Sequence, residues 1–251
     1  RRLRRHTKKV GEMIIIPARL ASTRFPNKII ADVIGLPMVV RCAKNLLSVD
    51  DVVVACDDLS VKELCETHGI RAVITQKTHN SGTDRINEAA CLLGLCDDDV
   101  VVNVQADEPF LEPHIVQTVK NLIVNEENGF KMASCYRQID KHMAENPNMV
   151  KVITDNNGYA IYFSRSPIPY DRDGGFFDYK GHLGIYGFDV RSLRDFCALG
   201  GGNLENIEKL EQLRAVEAGL KIKMAEVSTK SFGIDTVEDL EEALAIFGEK
   251  K

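Results

Sequence analysis

The sequence predicts an α/β fold built on a mostly parallel, mixed sheet covered on both faces, and three observations carry that prediction. Strand-like and helix-like patterns alternate through the first half of the chain. Its strand-like runs are continuously apolar, as expected of strands buried on both sides. The second half breaks this rhythm: two short runs there are joined by Asp155-Asn156-Asn157-Gly158, a hairpin signal.

The elements follow in order. Met13–Ile16 opens as a buried strand and is expected to stop at Pro17, which has no N–H for a sheet ladder. Pro37–Leu47 reads as a helix with proline in its first turn. Val52–Cys56 is a strand, and Leu59–His68 is a helix stopped by Gly69. Ile70–Thr75 and Val100–Val104 are strands flanking the helix Asp84–Leu95, and Pro113–Glu126 is helical. Met132–Tyr136, Val150–Thr154 and Tyr159–Phe163 read as strands, the last two as a hairpin excursion suited to dimer contacts. Strand His182–Phe188, helix Val190–Cys197, helix Glu205–Ala218, strand Lys221–Val227 and helix Val237–Phe247 complete the chain.

The composition narrows the function. The 251 residues are 44% hydrophobic and 27% charged, enough for one large α/β domain. Residues 1–12 carry six Lys/Arg and one Glu, and are read as a tag or upstream segment. That leaves 13–251 as one domain, with a hairpin subregion over about 132–188. Without the segment's net +5 the formal charge falls from −5 to −10, the wrong sign for a nucleic-acid surface. No run approaches the roughly 18–20 apolar residues a membrane span needs, and no secretory pattern precedes the first strand. A cytoplasmic protein with no membrane insertion is therefore expected. The seven scattered cysteines form no Cys-x-x-Cys pair and read as core thiols of a reducing compartment.

The loop after the first strand is the functional focus. Arg19, Arg24 and Lys28 stand there among Ala18, Ala21, Ser22 and Thr23. Cations on a small-residue loop at the carboxyl end of a strand suit a polyphosphate. There is neither a G-x-x-x-x-G-K-[ST] loop nor a G-x-G-x-x-G turn, so P-loop and dinucleotide readings are set aside. Asp107 and Glu108 lie just past a strand, where a carboxylate can hold Mg²⁺ or simply make a turn. Asp235 precedes the last helix, as a second metal ligand or as part of a helix cap. Ser81-Gly82 before Arg85 exposes backbone that can approach a planar base, or caps the following helix.

Together PARLASTRFPNK, SGTDRI, NVQADEPF, YFSRSPIPYDR, HLGIYGF, IEKLEQLR and GIDTVEDL, in this order, resemble the 3-deoxy-D-manno-octulosonate (Kdo) cytidylyltransferases from Met13 to about Leu244. Ala106 departs from the glycine usual there. The resemblance implies a three-layer α/β/α nucleotidyltransferase-type fold, a homodimer, and the Mg²⁺-dependent reaction of CTP with Kdo, giving CMP-Kdo for lipopolysaccharide synthesis. It implies Arg19 and Lys28 on the CTP phosphates, with Ser22 and Arg24 in the same loop. It puts Ala18, Ser81, Gly82 and Arg85 at the cytidine. Gln105, Arg165, His182, Tyr186, Glu208, Glu211 and Gln212 fall around Kdo, with Arg165 suited to its carboxylate, and Asp107 and Asp235 carry metal. A cytidylyltransferase for another acidic sugar, such as a sialic acid, would share the first loop but not HLGIYGF and LEQLR. A glycosyltransferase would want Asp-x-Asp after a strand, whereas Asp97–Asp99 precedes one. A nucleotide-binding regulatory protein would have no need of Asp235.

Overall fold

The computed structural model describes residues 10–21, 25–175 and 178–248. Strands β1 (Glu12–Ala18), β2 (Asp51–Cys56), β3 (Arg71–Ile74), β4 (Val100–Asn103), β5 (Met132–Ile139), β6 (Lys151–Thr154), β7 (Ala160–Ser164), β8 (Tyr179–Asp189) and β9 (Ile222–Glu226) form one sheet. Its main path is β3-β2-β1-β4-β8-β5-β9. The first four of these strands are mutually parallel. β8 is antiparallel to β4 and to β5, and β9 is parallel to β5. The expected hairpin is present: β6 and β7 pair off the main path and reach β8 through Lys151 and Gly181.

The helices are α1 (Met38–Leu46), α2 (Leu59–Thr67), α3 (Gly82–Leu92), α4 (Pro113–Val124), α5 (Lys141–Glu145), α6 (Val190–Ala198), α7 (Asn203–Glu208), α8 (Leu213–Glu217) and α9 (Val237–Phe247). Alternate residues of each strand point to opposite faces, so continuously apolar strands create two cores. Ile14, Ile16, Val52, Val54, Val100 and Val102 pack with α1, α2 and α4. Ile15, Ala55 and Val101 pack with α3, α6 and α8 on the other side. Three layers result.

Two expectations need correction. The first strand does not stop at Pro17; it runs to Ala18, pairing Pro17 with Ala55 and Ala18 with Cys56. The Ile15 carbonyl accepts from Val104 on the β4 side. Residues two apart share an orientation in a parallel ladder, so the missing Pro17 donor faces that side too, where pairing has ended at Asn103. The expected helix 205–218 is also two helices, α7 and α8. Lys209 takes a left-handed φ of 54°, and Arg165 draws the carbonyls of Glu208 and Lys209 away from helical bonding. A small fourth cluster beyond the sheet encloses α5, whose Asp140 cap accepts from Met143 N–H.

Candidate active site

The carboxyl ends of β1 and β4 open into a cavity lined by Pro17, Arg19, Lys28, Ser81, Gly82, Arg85, Gln105, Asp107 and Asp235, among others. It lies where ligands bind in open parallel sheets. Gly82 is needed for close approach: a Cβ there would stand 3.1 Å from the Pro17 ring. Ser81 caps α3, accepting from the Asp84 N–H at 3.1 Å. Arg85 is 3% exposed and ties three elements together. Its guanidinium donates to the Thr75 hydroxyl, the Gln76 carbonyl and Asp57. Asp57 in turn accepts from Leu20 N–H, which fixes the start of the loop after β1. Ala18 is buried at the end of β1, whereas Ser22 and Arg24 lie outside the described residues.

Lys28, at the start of a short 3-10 turn, joins the two carboxylates. Its Nζ donates to Asp107 Oδ2 at 2.6 Å and to Asp235 Oδ1 at 2.8 Å. Burial alone would lower its pKa, but these two carboxylates outweigh that and raise it. Two backbone features hold the pair in place. The Ile234 N–H donates to the Asp107 carbonyl at 2.9 Å. Asp239 accepts from the N–H groups of both Asp235 and Thr236, while Thr236 caps α9. α9 is docked by the stack of Phe247 on Phe110, with ring centroids 4.5 Å apart. The cap residue is thus Thr236, and Asp235 lines the cavity.

An ammonium held between two carboxylates marks a place built for positive charge. Among the described residues no group of three or more His, Cys, Asp or Glu side chains converges on a metal position. Two carboxylates with room for phosphate oxygens suit Mg²⁺, and a zinc-type cage is not offered.

A second cavity adjoins the first and shares Asp107 and Asp235 with it. His182, Tyr186 and Gln212, three residues for which the family resemblance implied a place around the sugar, line it together. His182 bonds the Ser134 hydroxyl at 2.9 Å, and burial pushes its pKa down to about 3, so the ring is neutral near pH 7. The Tyr186 hydroxyl donates to Gln212 Oε1 at 3.0 Å. Gln105 lines the first cavity yet lies 4.0 Å from a Cβ built on Gly184 of the second, so it borders both.

Arg165, Glu208 and Glu211 line neither cavity. Arg165 donates to the carbonyls of Glu208, Pro147 and Lys209. Glu208 accepts from the Ser164 hydroxyl and Arg165 N–H. Glu211 accepts from the Thr83 hydroxyl at the base of α3, and burial raises its pKa. Residues not anticipated also line the cavities: His79 and Asn80 in the first, Arg137 and Ser231 in the second, beside the Glu108 that the sequence singles out with Asp107. His79-Asn80 abuts the recognised Ser81-Gly82 turn, a signal that was available. Burial raises the Glu108 pKa to about 7, with Asp107 adding to the effect.

A sequence model of the Cytidylyltransferase family matches residues 13–222. The chain belongs to the cytidylyltransferase family. It is 53% identical over 243 residues to a 3-deoxy-manno-octulosonate cytidylyltransferase of Wolinella succinogenes, covering 94% of this chain and all of that protein. A Helicobacter pylori protein of the same description is 52% identical, covering 94% of this chain and 97% of its own. A solved CMP:2-keto-3-deoxy-manno-octonic acid synthetase complexed with CTP superposes with a TM-score of 0.89 at 34% identity. The match covers 96% of this chain and 100% of that one. The expected nucleotidyltransferase fold is therefore the fold of this cytidylyltransferase.

Proposed function

We propose that this chain transfers CMP from CTP to the anomeric hydroxyl of Kdo, forming CMP-Kdo and pyrophosphate. The observation that carries this reading is that Asp107 and Asp235 line both cavities at once. A triphosphate in the first cavity and an acceptor in the second meet at these carboxylates. In-line attack on the α-phosphorus asks for positioning and charge neutralisation more than for covalent chemistry. Arg19 and Lys28 are the cations for the phosphates and the departing pyrophosphate, with Ser22 and Arg24 from the same loop. Ala18, Ser81, Gly82 and Arg85 form the cytidine end. His182, Tyr186 and Gln212 hold the sugar, Gln105 bridges the two substrates, and Glu208 and Glu211 support the acceptor wall from behind.

Asp107 and Asp235 are the residues that would hold Mg²⁺. Bound there, Mg²⁺ would neutralise the triphosphate and make the acceptor hydroxyl more acidic. Removing divalent metal with a chelator should abolish turnover, and added Mg²⁺ should restore it. Lasting activity in the chelator would remove the metal from the reading.

The enzyme is further read as a cytoplasmic homodimer. Seven cysteines with no disulfide among them suit a reducing compartment, and no helix among the described residues is long and apolar enough to cross a membrane. Ile161, 54% exposed on the β6–β7 hairpin, suits a subunit contact. Sedimentation should give a dimer that Ile161→Lys weakens; a monomeric wild type would end that part of the reading.

The deciding assay is pyrophosphate release from CTP and Mg²⁺, with Kdo and N-acetylneuraminate offered in parallel. Release with Kdo alone is expected. Release with N-acetylneuraminate instead would keep nucleotidyl transfer but overturn the acceptor.

A further inference from the structure

We propose that Arg137, with Ser231 beside it, is the seat for the carboxylate of the acceptor sugar. This rests on the Kdo reading and names the residue that selects an acidic sugar.

Buried polar groups in folded proteins nearly always find partners, so an orphan asks for an explanation. Five buried side-chain atoms among the described residues lack one, and three of them belong to residues that line the acceptor cavity: Arg137 Nε, Gln212 Nε2 and Ser231 Oγ. Arg137 Nε and Gln212 Nε2 are N–H donors, and a hydroxyl can donate as well. Unpartnered donors on three residues of one cavity wall suit acceptor oxygens on the ligand. Arg137 and Ser231 belong to one local structure: Arg137 Nη1 donates to the Thr229 carbonyl at 3.1 Å, and Ser231 N–H donates to the Thr229 hydroxyl at 2.9 Å.

Charge points the same way. Asp107, Glu108, Asp235 and Asp239 all line the cavity, and Arg137 is its only Lys or Arg among the described residues. A carboxylate entering so acidic a space needs a fixed cation, and a guanidinium can meet it with two parallel bonds. Arg165 is not free for that task. Its guanidinium donates to three backbone carbonyls and does not line the cavity. Its work is to hold the break between α7 and α8, which delivers Gln212.

The test compares steady-state constants for wild type, Arg137→Gln, Arg137→Lys and Arg165→Gln, using Kdo and its C1 carboxamide as acceptors. Arg137→Gln should raise the Kdo KM by about 10- to 100-fold, the worth of a charged hydrogen bond, with little change in the CTP KM. Arg137→Lys keeps the charge but loses the fork, and should recover part of the loss. The wild type should prefer Kdo to the carboxamide by a similar factor, and Arg137→Gln should lose that preference. A folded Arg137→Gln that keeps the wild-type Kdo KM overturns the proposal. So does a wild type indifferent between acid and amide, a result that stands even where the variants fail to fold. A wild type that releases no pyrophosphate with Kdo is a different failure: the acceptor reading itself falls, and the proposal falls with it.

Discussion

Lys28 stands 79 residues from Asp107 and 207 from Asp235, yet its ammonium touches both carboxylates. Each of the three was legible as a charged residue at a strand or helix end, and the family resemblance implied that they share one site. The direct contact of the ammonium with both carboxylates was not legible, because it depends on how the segment before α9 meets the loop after β4. The cluster argues for electrostatic rather than covalent catalysis, so removing one member should be severe without unfolding the chain. Lys28→Ala and Asp107→Asn should each cut kcat/KM for pyrophosphate release by about 10²- to 10³-fold. Circular dichroism would confirm the fold, and a folded variant retaining most of the wild-type rate would refute the assignment. Arg165 and Arg137 show the opposite limit of sequence reading. A guanidinium's role depends on which carbonyls lie within reach, and those carbonyls belong to segments far away in sequence.

At the level of elements, the continuous apolar strands and the Gly- and Pro-marked helix ends were readable because each rests on a local rule. The helix expected over 205–218 failed for a non-local reason: Arg165, on the hairpin side, takes the carbonyls that a continuous helix would have used. The terminal helix is the informative case for function. Sequence offered either Asp235 or Thr236 as its cap, and the structure gives Thr236, whose hydroxyl accepts from Asp239 N–H at 3.1 Å. Thr236→Ala should cost about 1 kcal/mol of stability, read as a lower urea midpoint. The same cap orders the backbone of Asp235, so the variant should also need more Mg²⁺ for half-maximal rate. An unchanged Mg²⁺ requirement in a destabilised variant would show that the cap does not steer Asp235.

For the molecule as a whole, one ring on a central strand should contribute measurably to acid sensitivity. His182 lies on β8, the reversed strand joining the parallel half of the sheet to β5 and β9, and burial lowers its pKa from 6.5 to about 3. The unfolded chain therefore binds a proton at His182 that the native chain refuses. Above pH 6.5 both states leave the ring neutral, and its contribution to stability is fully present. As pH falls from 6.5 toward 3, the unfolded state gains by up to about 1.4 kcal/mol per pH unit, and native stability is lost. Other groups titrate in the same range, so the comparison must be differential. Between pH 6.5 and 5 the wild type should lose about 1.5 kcal/mol more than His182→Gln, measured by urea unfolding of both proteins at both pH values. Parallel losses would mean that the native state accommodates a charged ring, and a neutral His182 could then no longer be assumed in the wall of the second cavity. The larger wild-type loss would tie part of the acid sensitivity of the fold to a side chain that lines its second cavity.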